Sequence, residues 1–369
     1  MSRPIFAEIS LSSLRHNYLL AKDIGENKKA KTWAVVKANA YGHGLKRCVN
    51  ALKDLADGFA IIEIDYAIVM RKSGIENPIL LLEGFFESKE IKQFEDYRLT
   101  PVIHSFEQIK MFEKERISRP LAIYLKFNTG MNRLGFKKNQ VPDILKKIEN
   151  LKSQNKISDL ILMTHFATAD NELGIDWQTK AFREIIDKFK NHKFKISISN
   201  SASILRFANY HCDWQRPGIM LYGSSPFGEF PGEKSAKSLN LKPVMSLKSK
   251  VIGIQNIESG DIVGYGGAFK AKQNTRIGIV ACGYGDGYPR HAKNGTPIFV
   301  DGKPTQIIGR VSMDKITCDL TNLPNTGIGS EVELWGNNLS VDAVANYAET
   351  ISYELFCGLA NRVPKIEKS

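Results

Sequence analysis

Through about residue 225, short apolar runs rich in Val, Ile and Leu alternate with stretches whose apolar positions recur at helical spacing. This is the pattern of successive βα units around a parallel sheet. Eight runs read as strands: TWAVVKA (32–38), GFAIIE (58–63), PILLLE (78–83), TPVIH (100–104), PLAIYLKFN (120–128), DLILMTHF (159–166), FKISISN (194–200) and PGIMLYG (217–223). Eight is the number that closes a barrel. Between them, Leu45, Val49, Leu52 and Leu55 with Ala56 share a helical face, and Ile109 and Phe112 follow the cap-like Ser105. From about residue 235 the texture changes to closely spaced alternating runs such as VMSLKSKVIGIQ, RIGIVAC and SEVELWG, broken by Gly and Pro. These read as a second, mainly β domain. The stretch SSPFGEFPGEKSAKS (224–238), dense in Gly, Pro and Ser, reads as the connection. The expected fold is α/β: an N-terminal (β/α)8 TIM-type barrel over residues 1–230 and a C-terminal mainly β domain over residues 231–369.

Charge changes this picture little. The chain carries 51 Lys and Arg against 39 Asp and Glu, a net +12, but the lysines are scattered over predicted helix faces and ends. No basic stripe with stacking aromatics is present, so nucleic acid is not an expected partner, whereas small anions are favoured. No apolar run approaches the roughly 18 residues of a membrane-spanning helix. The opening MSRPIFAEISL lacks a charged stretch followed by an apolar one, and a cytoplasmic protein is expected. Cys48, Cys212, Cys282, Cys318 and Cys357 are odd in number, widely spaced and never form C-x-x-C. Reduced thiols are expected, and no metal site.

The active site of an α/β barrel lies at the C-terminal ends of its strands. Lys37 closes the first predicted strand in AVVKANAYGHG and leads into a loop with Tyr41, His43 and two glycines. A lysine there forms a Schiff base when desolvation or neighbouring positive charge lowers its pKa. After predicted strands 7 and 8 stand SNSAS (199–203) and RPGIMLYG (216–223), which offer hydroxyls and backbone N–H groups where such barrels cradle phosphate. A strand-end lysine with a phosphate cradle suggests pyridoxal phosphate.

AVVKANAYGHG, KFNTGMNRLGF (126–136), QRPGIMLYG (215–223), VGYGGAF (263–269), GYGDGYPR (283–290) and GRVSMDK (309–315) together resemble the alanine racemase family, in order and over nearly the whole chain. The resemblance implies a pyridoxal-phosphate enzyme that interconverts L- and D-alanine. It also implies a homodimer in which the second domain contributes to the partner's active site, and a role in supplying D-alanine for peptidoglycan.

Carried over residue by residue, the resemblance makes Lys37 the lysine that holds pyridoxal 5'-phosphate as a Schiff base and one catalytic base. It makes Tyr265, from the partner chain, the opposite base. Racemisation removes a proton from one face of Cα and returns one on the other, so two bases must flank it. Arg216 matches the arginine that meets the pyridine nitrogen; a guanidinium donates a hydrogen bond but is a poor proton source. Tyr41, Ser201, Gly218, Ile219 and Tyr353 match cofactor-phosphate positions, and His165 matches the residue lying against the ring. Asn200, Tyr284 and Arg310 are placed in the same region. Arg133 and the partner's Met313 match substrate-binding positions. Lys126 aligns with a lysine that some members carry as a carbamate, which turns a cation into an anion able to hold Arg133. Asn128 stands where many relatives have Asp, and that aspartate's role is not carried over. Crowding by Tyr265, Tyr353, Tyr284 and Met313 implies room for a methyl side chain and modest discrimination against serine.

Two other readings compete. A related pyridoxal-phosphate amino-acid decarboxylase shares the architecture, but it pairs the ring nitrogen with an acid where this chain has Arg216. A non-catalytic pyridoxal-phosphate carrier needs no domain after residue 235. GYGDGYPR is Gly-rich, yet its spacing misses the G-x-G-x-x-G of a dinucleotide site.

Overall fold

A computed structural model of the chain describes residues 3–24, 29–210, 212–228 and 234–368. The chain divides into two compact units that interleave along the sequence: residues 18–37 with 49–218, and residues 1–17 with 38–48 and 219–369. The division expected at 230/231 lies outside the described residues, whereas most of the connecting stretch around it is described.

The strand β1 (Phe6–Ile9) belongs to the second of these units; the next eight build the first. They are β2 (Lys31–Val35), β3 (Gly58–Ile61), β4 (Ile79–Leu81), β5 (Leu99–Ile103), β6 (Leu121–Lys126), β7 (Ile157–Met163), β8 (Lys195–Ser197) and β9 (Trp214–Gln215). They form a closed barrel in chain order. It is sealed by the parallel pairing of β2 with β9 through Lys31 with Trp214 and Thr32 with Gln215. The strands read as continuous apolar runs because both faces are covered. Inside, Trp33 stacks on Trp214 with centroids 4.3 Å apart and donates Nε1–H to Tyr124 Oη at 2.9 Å. Gly58 makes room for this indole, since a Cβ there would lie 2.3 Å from the Trp33 ring. Outside, the helix Phe106–Lys114 starts as its sequence predicts: Ser105 caps it by accepting from Gln108 N–H, and Ile109 and Phe112 are buried.

Seven of the eight predicted strands are found; the eighth is corrected. PGIMLYG (217–223) is not a strand, and the closing strand is the short β9 just before it. Pro217 has no N–H for a ladder, the Gly218 N–H turns to Ser201 Oγ, and Ile219–Tyr222 coil into a 3₁₀ turn. That turn ends at Gly223, whose φ of +80° and close approach to the Lys242 carbonyl exclude a side chain. Lys37 likewise lies two residues beyond the end of β2 rather than within it.

The other unit is mainly β, as the alternation predicts. Its sheet runs β15 (Lys303–Gln306), β14 (Pro297–Val300), β17 (Glu331–Trp335), β10 (Met245–Ile257), β1, β18 (Lys365–Glu367). β13 (Thr275–Val280) joins β10 to β16 (Ile316–Asp319). The sheet takes β1 in antiparallel to β10 and parallel to β18. A separate hairpin pairs β11 (Ile262–Val263) with β12 (Phe269–Lys270). Among the described residues no helix is long and apolar enough to cross a membrane.

Candidate active site

In the barrel unit the predicted site residues collect where strands end. Lys37 is half-buried after β2, Lys126 is the last residue of β6, His165 follows β7 by two residues, and Arg216 follows β9. Arg216 is almost fully buried and held from several sides: Nη1 donates to Ser197 Oγ at 2.6 Å, and Nη2 to the Thr164 carbonyl at 2.7 Å and the Ile198 carbonyl at 3.4 Å. Nη2 also lies 3.5 Å from His165 Nδ1. Burial lowers the Arg216 pKa to about 10, which leaves it a cation at neutral pH. His165 is pushed well below the usual histidine range, first by burial and then by the charges of Arg216, Lys126, Arg133 and Lys37, so its imidazole is neutral. For Lys126 the same causes, burial foremost and then Arg216 and Arg133, lower the pKa to about 8.

KFNTGMNRLGF forms a loop laced to the end of β7. Asn128 N–H donates to the Phe136 carbonyl and Phe136 N–H to the Lys126 carbonyl, both at 2.9 Å. Asn128 Oδ1 accepts from the N–H groups of Gly130 and Asn132 at 3.0 Å each, so its side chain shapes the turn leading to the exposed Arg133. Thr129 and Thr164 share a hydroxyl bond of 2.7 Å, and Gln178 donates to Thr129 Oγ1 and to the His165 carbonyl. A shallow recess, open to solvent, lies between Lys126, Asn128, Arg133, Thr164 and His165. Three cations, Lys126, Arg133 and Arg216, stand in this region with no carboxylate ion pair among the described residues, a setting for an anionic ligand.

Ser201 opens the short helix Ser201–Arg206, which Asn200 caps by accepting from Ser203 N–H at 3.0 Å. Asn200 also donates to the Phe166 carbonyl, which gives it a structural place beside the site. Gly218 N–H, expected to face a phosphate, donates instead to Ser201 Oγ at 2.8 Å. The Gly218 N–H is thus engaged within the barrel unit by a side chain of the neighbouring helix.

In the other unit, the residues after Lys37 adopt a conformation that no local propensity suggests. Ala38, Asn39, Ala40 and Tyr41 have φ of 51°, 55°, 55° and 50°, a left-handed helical turn made without glycine. At about 1–2 kcal/mol per residue this stores on the order of 4–8 kcal/mol, which the surroundings must hold. Gly42 N–H bonds the Ala38 carbonyl at 3.0 Å, Gly44 N–H bonds the Asn39 carbonyl at 2.9 Å, and Asn39 Oδ1 accepts from Leu45 N–H at 2.7 Å. Tyr41 stacks on Tyr222 at 4.7 Å, with Tyr353 6.0 Å away, and burial raises the Tyr41 pKa. Ile219 is buried at the start of the 3₁₀ turn that carries Tyr222.

Tyr265 stands at the tip of the β11–β12 hairpin, 73% exposed, and Met313 is 54% exposed. The hairpin backbone at Gly264 approaches Arg310, while Tyr284 N–H donates to the Ser312 carbonyl and Gly285 N–H to the Met313 carbonyl. Tyr265, Tyr284, Arg310 and Met313 thus gather on neighbouring turns of one unit. Beneath them, the fully buried Asp286 is gripped by Arg3 Nη1 at 2.7 Å and Arg362 Nε at 2.8 Å, and Arg362 reaches on to Asp314 at 2.6 Å. Sequence reading missed this clamp, as it missed Ser197, Thr164 and Gln178. Only the acid in GYGDG hinted at it.

Lys37, Lys126, His165 and Arg216 thus follow barrel strand ends, and two family models match the chain in succession. The model described as alanine racemase, N-terminal domain, covers residues 9–226, and that described as alanine racemase, C-terminal domain, covers 244–367. The chain belongs to the alanine racemase family. It is 47% identical over 364 residues to an alanine racemase of Erwinia tasmaniensis, with 99% of each chain covered. It is 45% identical to a catabolic alanine racemase of Salmonella typhimurium at the same coverage. The crystal structure of a biosynthetic alanine racemase from Pseudomonas aeruginosa superposes with a TM-score of 0.92 at 42% identity, with each chain fully covered. That of an alanine racemase from Bartonella henselae, described with covalently bound pyridoxal phosphate, superposes with a TM-score of 0.87 at 27% identity over 99% of both chains.

Proposed function

We infer that the chain is a pyridoxal-phosphate-dependent alanine racemase, working as a homodimer and interconverting L- and D-alanine with two bases. The observation that carries this reading is the cationic strand-end cluster: Lys126 and His165 feel the charges of Lys37, Arg133 and Arg216. The donor set fits the cofactor. Lys37 offers an amine for a carbonyl carbon, Ser201 a buried hydroxyl at a helix start, Arg216 N–H groups beyond those already engaged, and the cations suit a phosphate and a carboxylate.

Pyridoxal phosphate, when bound, supplies the electron sink that acidifies the substrate Cα–H. Lys37 holds the cofactor and its Nζ moves a proton at one face of Cα. The phenol oxygen of Tyr265 of the partner subunit moves one at the other. The exposure of Tyr265 and Met313 in the single chain supports their use by a second copy. Arg216, pinned by Ser197 and Thr164, donates to the ring nitrogen without surrendering a proton, while neutral His165 lies against the ring and adds no charge there. Tyr41, Ser201, Gly218, Ile219 and Tyr353 bind the phosphate, and the Gly218–Ser201 bond holds two of these positions together. Arg133 and Met313 of the partner subunit orient the substrate. Lys126, with a neutral amine fraction near pH 8, adds carbon dioxide at Nζ and releases a proton to solvent, and the resulting carbamate anion holds Arg133. The work is done in the cytoplasm, supplying D-alanine for peptidoglycan.

The test is exchange of the Cα proton of L-alanine and, separately, D-alanine in D2O, followed by chiral analysis, on protein purified with pyridoxal phosphate. Both enantiomers are expected to exchange and converge on a racemate. Exchange of neither, with the cofactor bound, overturns the reading.

A further inference from the structure

His43 is wholly enclosed, belongs to none of the roles assigned above, and sits against the strained turn. Its Nδ1 lies 2.8 Å from the Tyr41 carbonyl and 3.1 Å from the Ala40 carbonyl, and two carbonyls can be bonded only by a protonated Nδ1. Its Nε2 is buried with no partner among the described residues. The ring is packed between Tyr222, 4.6 Å away, and Phe356, 4.7 Å away. Were this position only a filled space, an apolar side chain would fill it without an orphaned acceptor. The polar atom that has a use is Nδ1, and both its partners are carbonyls of residues held at positive φ.

The carbonyls matter because a one-turn left-handed helix cannot satisfy its own last acceptors. Asn39 and Gly42 hold the start of the turn, and the Ala40 carbonyl receives His43 N–H as well as the ring. The Tyr41 carbonyl has only the imidazole as a recorded donor among the described residues. On the far side, Gly42 approaches the backbone of the helix Ser352–Gly358 so closely that a Cβ would lie 2.0 Å from the Phe356 carbonyl. The turn is therefore wedged between that helix, which bears Tyr353, and the imidazole.

We propose that His43 is a positioning residue: as the Nδ1–H tautomer it bonds the Ala40 and Tyr41 carbonyls and locks the left-handed turn that follows Lys37 and presents Tyr41. It acts through the turn and touches neither cofactor nor substrate. The inference rests on the proposed function, in which Lys37 and Tyr41 hold the cofactor.

Asparagine can place an amide N–H near the position of Nδ1, whereas the longer glutamine carries its amide toward Nε2. Holoenzyme of wild type, His43→Asn, His43→Gln and His43→Leu is stripped of pyridoxal phosphate and titrated back, with dissociation constant, kcat and KM for alanine measured for each. The expected result is cofactor affinity within about threefold of wild type for Asn but at least about tenfold weaker for Gln and Leu, the worth of one well-placed hydrogen bond. Equal affinity across all four proteins, with only melting temperatures changed, overturns the positioning role. Should Gln and Leu fail to fold, the 15N shifts of His43 in the wild-type protein decide. A protonated Nδ1 and a bare Nε2 are expected, and the reverse tautomer overturns the proposal. Wild-type protein that takes up no cofactor overturns the functional reading and this inference together. Cofactor uptake with no difference among the variants overturns this inference alone.

Discussion

Gly218 donates its backbone N–H to the Ser201 hydroxyl at 2.8 Å, so a donor that a bare glycine turn would aim at an anion is held by a side chain. The pair links the residue after Pro217 to the first turn of the helix Ser201–Arg206 and explains why this stretch leaves the sheet. Ser201→Ala leaves the buried Gly218 N–H without its acceptor and loosens the turn that bears two proposed phosphate positions. A stability loss of about 1–3 kcal/mol is expected in denaturant unfolding, together with weaker cofactor binding. An unchanged cofactor affinity would remove Ser201 from the phosphate site.

His43 and His165 make the fold acid-sensitive. Both are held below the ordinary histidine pKa by burial, His43 at about 4. Below about pH 6.5 the unfolded chain binds a proton at each that the native chain refuses, down to about pH 4 at His43, so stability falls as pH falls. For His43 alone the span is worth about 3 kcal/mol. Unfolding midpoints measured across that range should drop on acidification, and less steeply in His43→Asn.

Lys126 should behave as a reactive amine near neutral pH. Burial, with Arg216 and Arg133 beside it, puts its pKa at about 8, so a substantial neutral fraction meets dissolved carbon dioxide. With 13C-bicarbonate a carbamate resonance is expected, lost in Lys126→Met and reduced as pH falls below about 7. No resonance in the wild-type protein at about pH 8.5 would leave Lys126 an unmodified amine.

Shared active sites predict complementation between two dead variants. Lys37→Ala and Tyr265→Phe each inactivate the homodimer, but in a mixed dimer one site regains both bases. Half the dimers of an equal, fully exchanged mixture are mixed, with one intact site each, so about a quarter of wild-type activity is expected. No recovery would mean that Lys37 and Tyr265 do not serve a common site across subunits.

Asp286 anchors the turn that bears Tyr284, and Arg362 ties the same carboxylate to the Met313–Asp314 turn. Asp286→Asn keeps the shape but leaves Arg3 and Arg362 without their shared anion. A loss of about 2–4 kcal/mol is expected, with a higher KM for alanine at unchanged Cα exchange stereochemistry. A variant of native stability would show that the clamp is incidental.

Most of the architecture was legible because barrel strands announce themselves as short apolar runs and the second unit as alternation. The final strand was misplaced for a local reason: PGIMLYG is as apolar as any strand, and only its lack of a Pro217 N–H and the capture of Gly218 N–H by Ser201 keep it out of the ladder. Lys37 was readable as a candidate because a polar residue ending an apolar run stands out, whereas Lys126, His165 and Arg216 entered only through the resemblance to the family. The left-handed turn was not readable, since Ala38, Ala40 and Tyr41 have no preference for positive φ and one Asn39, which tolerates it, does not mark a whole turn. The Asp286 clamp escaped for a similar reason: its partners come from residues 3 and 362.

The pairing of β1 with both β10 and β18 makes this sheet a long-range closure. Phe6–Ile9 pair antiparallel with a strand that begins at Met245 and parallel with one that begins at Lys365. Hundreds of intervening residues must be gathered before the first strand gains either neighbour, which makes the step entropically costly and slow. In refolding from denaturant, the unpaired backbone of residues 6–9 stays an open edge through that interval, and aggregation there competes with completion of the sheet.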